Sequence, residues 1–521
     1  IKTAANAEYQ HWQGSTPTKS ITGSVSTITG GNYHFGDADY ATMTQASSYT
    51  HPGWGIFGSP GYVAPFTQWN YDYDYKYNAY FNNADIGGFG SNQYGYDLIH
   101  TPNDHNHTTP LGGNHYNLSG TSTTRGAMMF VDNAVTLNGT SNFYIGGRES
   151  NTISTTAKHS GIVIGTNGNL NNASGTHHFR VYDESNNAIY NMGTLNTNAT
   201  ITISGGTGSS TTNQKNNGIY NAANATATSS GTYHIYGKKN NGIMNDANGK
   251  VYASGNFNVY GEENNGINNS GKVWSSGATY DIRGDKKNNG VNNASGAEFY
   301  SSGDKFYVRG AGSSGNANNG ILNDAKASIT NGEFQMYSDN TNGIYNTGTD
   351  TVTIDGTTFF NTSFRDKANG IVQKGAGTID IKAAPSTTRY TISGKNSNGI
   401  LVDASGSTVK IGTPANDSNI IFDIVGDNSN STTKNNGINV NDGDAEVNGV
   451  TFNVGKGGPT VTRSDTENNG IKVASAGKLT VNRSFFNINE YENNGIRIDG
   501  GSGKNHDIQG STFTISSEVN P

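Results

Sequence analysis

Cysteine is absent from all 521 residues, which excludes disulfides and thiolate metal sites. That absence also suits a chain that crosses an oxidising compartment unfolded, where a disulfide would close a loop and obstruct passage. Charge is sparse. Asp, Glu, Lys and Arg make up 14% of the chain, and the formal net charge is −7 with no long basic run. Nucleic-acid binding and polybasic membrane contact both need clustered Lys or Arg, so neither is expected. There is no run of about 18 apolar residues, so no helix is expected to span a bilayer. No charged-then-apolar leader opens the chain at Ile1, and any signal peptide is expected to have been removed. Apolar residues are only 32% of the total while Gly contributes 71. Such a chain cannot fill a wide core, but it can fill a narrow one if each short segment contributes a few apolar side chains.

What is present is a repeat. Asn216-Asn217-Gly218-Ile219 recurs as Asn240-Asn241-Gly242-Ile243, Asn264-Asn265-Gly266-Ile267 and Asn288-Asn289-Gly290-Val291, with a spacing of 24 residues. Looser copies end at Ile321, Ile344, Ile371, Ile400, Ile438, Ile471 and Ile496, and two degenerate ones at Ile162 and Ile189 precede them. A fixed period of this size signifies a stacked architecture. Within one period, for example 242–265, three short segments alternate apolar and polar residues between Gly- and Asn-rich turns. Period-2 alternation at this Gly density predicts three strands and no helix. Stacked in register, each strand pairs with its equivalent one turn away, about 4.8 Å distant.

Like positions then form columns. The third strand predicts an inward aromatic column through Tyr233, Phe257, Tyr280, Phe306, Phe334, Tyr390, Phe422, Phe452, Phe486 and Phe513, with an aliphatic residue two positions on. Ala227, Val251, Val273 and Phe299 are expected to face inward from the second strand, and Asn221, Asn245, Asn269, Asn293, Asn323 and Asn346 from the first. Buried Asn needs partners, and stacked amides can supply them to one another. After Gln373 this position becomes Val402, Val440, Val473 and Ile498. The Asn-Asn-Gly itself reads as a turn that tolerates positive φ.

Residues 1–125 lack the repeat and hold three of the four Trp and seven of the twelve His. They read as an aromatic-rich, loop-rich head or cap, with residues 126–521 as the array. No distinct cap follows Thr512-Phe513-Thr514-Ile515, so a fragment of a longer polypeptide is expected. In the head, Trp69-Asn70-Tyr71-Asp72-Tyr73-Asp74-Tyr75-Lys76-Tyr77, with Tyr80, alternates strictly. One face of such a strand is all aromatic, which suits partner binding, as does Trp54. The same Tyr residues could instead close over the first open turn of the coil. On the array, Tyr252, Trp274 and Tyr300 form one outward column, and Tyr236, Tyr260, Arg283, Arg309 and Tyr337 another. Each is a candidate contact surface, or else a cross-strand stabiliser. His105, His107 and His115 form a weak zinc candidate beside Pro and Gly turns. The plainer reading is a solvated loop, so no metal and no cofactor is expected.

These Asn-Asn-Gly-Ile corners, the aromatic-x-aliphatic third strands and the lack of Cys resemble the passenger of large type V autotransporter adhesins, the giant fusobacterial outer-membrane adhesins among them. The resemblance covers the chain from about residue 126 onward. It implies a right-handed parallel β-helix with three-strand turns, displayed at the cell surface and tethered to the outer membrane by a C-terminal β-barrel that this sequence does not contain. It implies adhesion to host-cell or bacterial surface proteins or glycans, with no catalysis. Polysaccharide lyases and hydrolases also use this fold. Glycoside hydrolysis needs two carboxylates about 5 to 9.5 Å apart, and Asp281, Asp423 and Asp499 do not align with a second acid on the next turn. Gly36-Asp37-Ala38-Asp39 lacks a serine nucleophile. A polysaccharide-degrading enzyme and a purely structural stalk are the alternatives.

Overall fold

The computed structural model describes residues 160–516, apart from loop segments at 173–174, 182–184, 204–214, 311, 313–315, 362–365, 383–385, 414–418, 426–433, 456–466, 475, 490–492 and 501–502. Ahead of residue 160 it describes strand backbones between Thr18 and Ile145 and a few of their side chains. The described residues are all β, with no helix, and their parallel strands stack as a β-solenoid. The chain divides into two compact units, residues 1–256 and 257–521.

In the first unit, three columns run in register. Ile162, Ile189, Ile219 and Ile243 pair along the first strands. Leu170, Leu195, Ala227 and Val251 pair along the second, and Phe143, Phe179, Ile201 and Tyr233 along the third. All of these side chains are fully buried, because strand alternation sends every second residue to the same side. Parallel pairing also reaches earlier segments: Val25–Phe35 joins Ala134–Ile145, and Asn78–Phe81 joins Ala127–Val131.

The second unit repeats the scheme. Its third strands stack Phe257, Tyr280, Phe306, Phe334, Phe359, Tyr390, Phe422, Phe452, Phe486 and Phe513, with successive centroids 4.3–5.0 Å apart. Offset aromatic stacking contributes roughly 0.5–1.5 kcal/mol per pair beyond burial. Phe359 is a member that the sequence pattern passed over. Two positions after it stands Asn361 in place of an aliphatic residue, so the aromatic-x-aliphatic signature fails there while the register holds.

Three Asn columns line the corner and first strand. The inward one is as expected: Asn269 Nδ2 donates to Asn293 Oδ1 at 2.8 Å, Asn293 to Asn323 at 2.7 Å, Asn323 to Asn346 at 2.7 Å and Asn346 to Gln373 Oε1 at 2.7 Å. The other two went unread in the sequence. The second Asn of each corner donates the opposite way along the stack, as from Asn319 Nδ2 to Asn289 Oδ1 and from Asn342 Nδ2 to Asn319 Oδ1, both 2.9 Å. The first Asn accepts a backbone N–H from the preceding turn, as Asn288 Oδ1 does from Asn264 at 2.9 Å.

The expectation of positive φ within Asn-Asn-Gly is corrected. Positive φ falls one residue earlier, at Lys239 (60°), Glu263 (55°) and Lys287 (50°). The Asn-Gly pair already belongs to the first strand. Glycine is needed there for space: a Cβ on Gly290 would lie 2.6 Å from Gly320 O and 3.1 Å from the Phe306 ring.

Candidate functional site

The outward side of the second unit carries two strips of aromatic and charged side chains. Both arise from alternation: the residue between two inward ones must point out, and register brings its equivalents on neighbouring turns alongside it.

On the second strands, Trp274 pairs with Tyr300. Their rings lie 5.8 Å apart at 12°, an offset stack that occupies a face of each. Lys326 Nζ sits over Tyr300 at 5.7 Å. Glu298 ties the strip together: Lys272 reaches it at 2.8 Å, Lys326 at 3.9 Å, and Tyr300 donates its hydroxyl to it. The Lys272 hydrogen bond, reinforced by Tyr300, holds the Glu298 carboxyl below its usual range, and the same bond raises Lys272. Tyr252, predicted for this column, belongs to the first unit and is 43% exposed.

On the third strands, Asp281 lies beneath two guanidinium groups. Arg283 binds it through Nε (2.8 Å) and Nη2 (2.6 Å), and Arg309 through Nε at 3.0 Å. Arg309 Cζ stands 4.5 Å from the Tyr337 ring centre and 5.2 Å from that of Tyr307, and Arg283 Cζ is 5.9 Å from that of Tyr260. Desolvation, then the nearby Glu333, raises the Tyr307 phenol above its ordinary value. Tyr337 donates to Gln335, which donates to Glu333. The strip therefore runs Tyr260–Arg283–Asp281–Arg309–Tyr337 across successive turns, with one carboxylate for two guanidinium groups.

The acids weighed as catalytic candidates all face fixed cations. Asp281 has its two Arg. Asp423 binds Arg389 and accepts from Asn453 Nδ2 at 2.7 Å. Asp499 binds Arg497 at 2.8 Å and Lys472 at 3.8 Å, and Arg497 holds its carboxyl below the usual range.

One acid that sequence reasoning missed is buried. Asp304, at the corner before a third strand, accepts the Ala278 N–H at 2.7 Å and the Ser301 hydroxyl at 2.6 Å. Burial pushes its carboxyl up to about 6 against these bonds. The available signal was an acid where equivalent corners hold small residues: Gly255, Ala278 and Gly332.

Trp54, Trp69, Tyr71, Tyr73, Tyr75 and Tyr77, and His105, His107 and His115, lie outside the described residues. Tyr80 stands on a strand whose backbone pairs with Ala127–Val131. No group of three or more His, Asp or Glu converges among the described residues. Comparison of the chain with protein-family models, curated proteins and solved structures finds no match in any of the three.

Proposed function

We propose that this β-solenoid is a surface-displayed adhesive passenger of the autotransporter kind, held at the outer membrane through a barrel elsewhere in its polypeptide. It binds a host-cell or bacterial surface protein or glycan and performs no catalysis. The supporting observation is the third-strand strip. Tyr and Arg are the residue types that dominate binding energy in protein interfaces, and here Asp281 and the Tyr rings hold both Arg side chains in place before any partner arrives. Such preorganisation lowers the ordering cost of association. The proposed partner surface is accordingly rich in groups that accept from guanidinium and phenol.

A second reading, a structural stalk, is favoured by the second-strand strip. Trp274 and Tyr300 spend ring faces on each other, which leaves less of them for stacking on a sugar. The test is binding of the complete chain to a glycan array and to cultured epithelial and bacterial cells, beside an Arg309→Ala/Tyr337→Ala double variant. Loss of binding in the folded variant supports adhesion through this strip. Undiminished binding places the contact elsewhere on the chain. Absence of binding to every surface leaves the stalk. Release of reducing ends from acidic polysaccharides would overturn the non-catalytic reading.

A further inference from the structure

Sixteen Asn-Gly dipeptides occur in the chain, eleven of them in the Asn-Asn-Gly-type corners. This dipeptide is the one most prone to spontaneous deamidation, because glycine leaves its own nitrogen unhindered. The glycine backbone nitrogen attacks the Asn Cγ and a C–N bond forms. The carboxamide nitrogen departs as ammonia, taking up the proton that the glycine nitrogen loses. Water then opens the succinimide at either carbonyl, giving aspartate or isoaspartate. Only water is consumed.

Fourteen of them fall into two environments; of the other two, Asn448 is buried at the end of Asn436–Asn448, and the side chain of Asn138 lies outside the described residues. In ten of the eleven corners, both residues lie on a strand paired on each side, as Asn289–Asn293 is with Asn265–Asn269 and Asn318–Asn323; the strand of Asn494 is paired on one side only. The side chain is held at both ends: Asn289 Nδ2 donates to Asn265 Oδ1 at 2.9 Å, and Asn289 Oδ1 accepts from Asn319 Nδ2 at 2.9 Å. Asn342, Asn369, Asn398, Asn436 and Asn469 continue the pattern, all under 9% exposed. For attack, Cγ must swing onto the glycine nitrogen, which breaks both side-chain hydrogen bonds and opens the ladder.

The exposed turns are different. Asn167, Asn248 and Asn331 all face solvent. The glycine nitrogen that follows each has one hydrogen bond to give up: Gly168 to Gly165 O at 2.8 Å, Gly249 to Asp246 O at 2.9 Å and Gly332 to Thr357 Oγ1 at 3.3 Å.

We infer that, among the described residues, Asn167, Asn248 and Asn331 are the Asn-Gly sites that deamidate in the folded protein, and that the amide columns shield the corner Asn-Gly dipeptides. The molecule would then gain negative charge at these turns as it ages while its ladders stay intact. This inference does not rest on the adhesion reading.

The experiment incubates the complete chain at mildly alkaline pH, folded and in parallel in denaturant. Peptide mapping with isoaspartate detection follows each site. In denaturant, corner and turn dipeptides are expected to react at similar rates. In the folded chain the three turns should still react, while corner sites slow by roughly 100-fold or more, because each event there first needs local opening. Corner sites reacting in the folded chain as fast as in denaturant would overturn the inference. So would turn sites that react no faster than the corners.

Discussion

The hydroxyl of Tyr390 is fully buried and has no hydrogen-bond partner, while those of Tyr233 and Tyr280 reach Ser229 at 2.6 Å and Ser275 at 2.9 Å. The second strand of the Tyr390 turn ends in Ile381 where those turns have Ser. Burying an unsatisfied hydroxyl costs about 1–3 kcal/mol. Tyr390→Phe is therefore expected to raise the urea midpoint, and Tyr233→Phe to lower it by an amount equivalent to about 1 kcal/mol. Asp304 makes a residue-scale prediction in pH. Unfolded, its carboxyl titrates near 3.8; folded, near 6. Between those values the folded chain keeps a proton that the unfolded chain has released, so stability falls as pH rises through this window and is level above it. The drop is on the order of 3 kcal/mol. Asp304→Asn, which keeps an acceptor for the Ala278 N–H, should flatten this dependence in denaturation curves taken from pH 3 to pH 8.

At the scale of the element, the inward amide column is a chain of donors and acceptors with one direction. Asn293 stands in its middle, taking a hydrogen bond from Asn269 and giving others to Asn323 Oδ1 and Lys326 O. Asn293→Asp would set a carboxylate against two acceptors. The expected loss is about 3–5 kcal/mol at neutral pH, as for an uncompensated buried charge, with partial recovery as the acid protonates at lower pH. Urea midpoints at two pH values check this. Phe359, invisible to the sequence pattern, sits between Phe334 and Tyr390 at 4.9 and 4.7 Å. Phe359→Ala should cost about 3–5 kcal/mol, measured the same way. A loss under about 1 kcal/mol, typical of a surface site, would contradict its place in the column.

At the scale of the molecule, each turn of the second unit bonds to its immediate neighbours, so a perturbation should stay local. Phe334→Ala is expected to speed amide hydrogen exchange over Glu298–Asn361 and leave Asn436–Ile498 unchanged, as read by exchange mass spectrometry. Exchange that rises evenly across the unit would show a single cooperative block instead. The proposed adhesive role belongs to this scale too, because the Tyr260–Arg283–Asp281–Arg309–Tyr337 strip exists only where several turns lie in register.

The sequence by itself determined the repeat, the three strands of a turn and the inward columns, because period-2 alternation and a fixed spacing are properties of the chain as written. Ile219, Val251 and Tyr233 could be placed without coordinates for that reason. It missed Phe359 because its neighbour broke the pattern, and it put the left-handed residue at Asn-Asn-Gly because local propensity cannot tell a turn from a close approach. The tertiary structure alone decided which donor meets which acceptor across turns. It set two amide columns in opposite directions, buried Asp304, left the Tyr390 hydroxyl alone and placed Asp281 under two Arg. The contacts that decide these join different turns, as Asp304 with Ala278 and Arg309 with Asp281 do, and are set by stacking rather than by local preference.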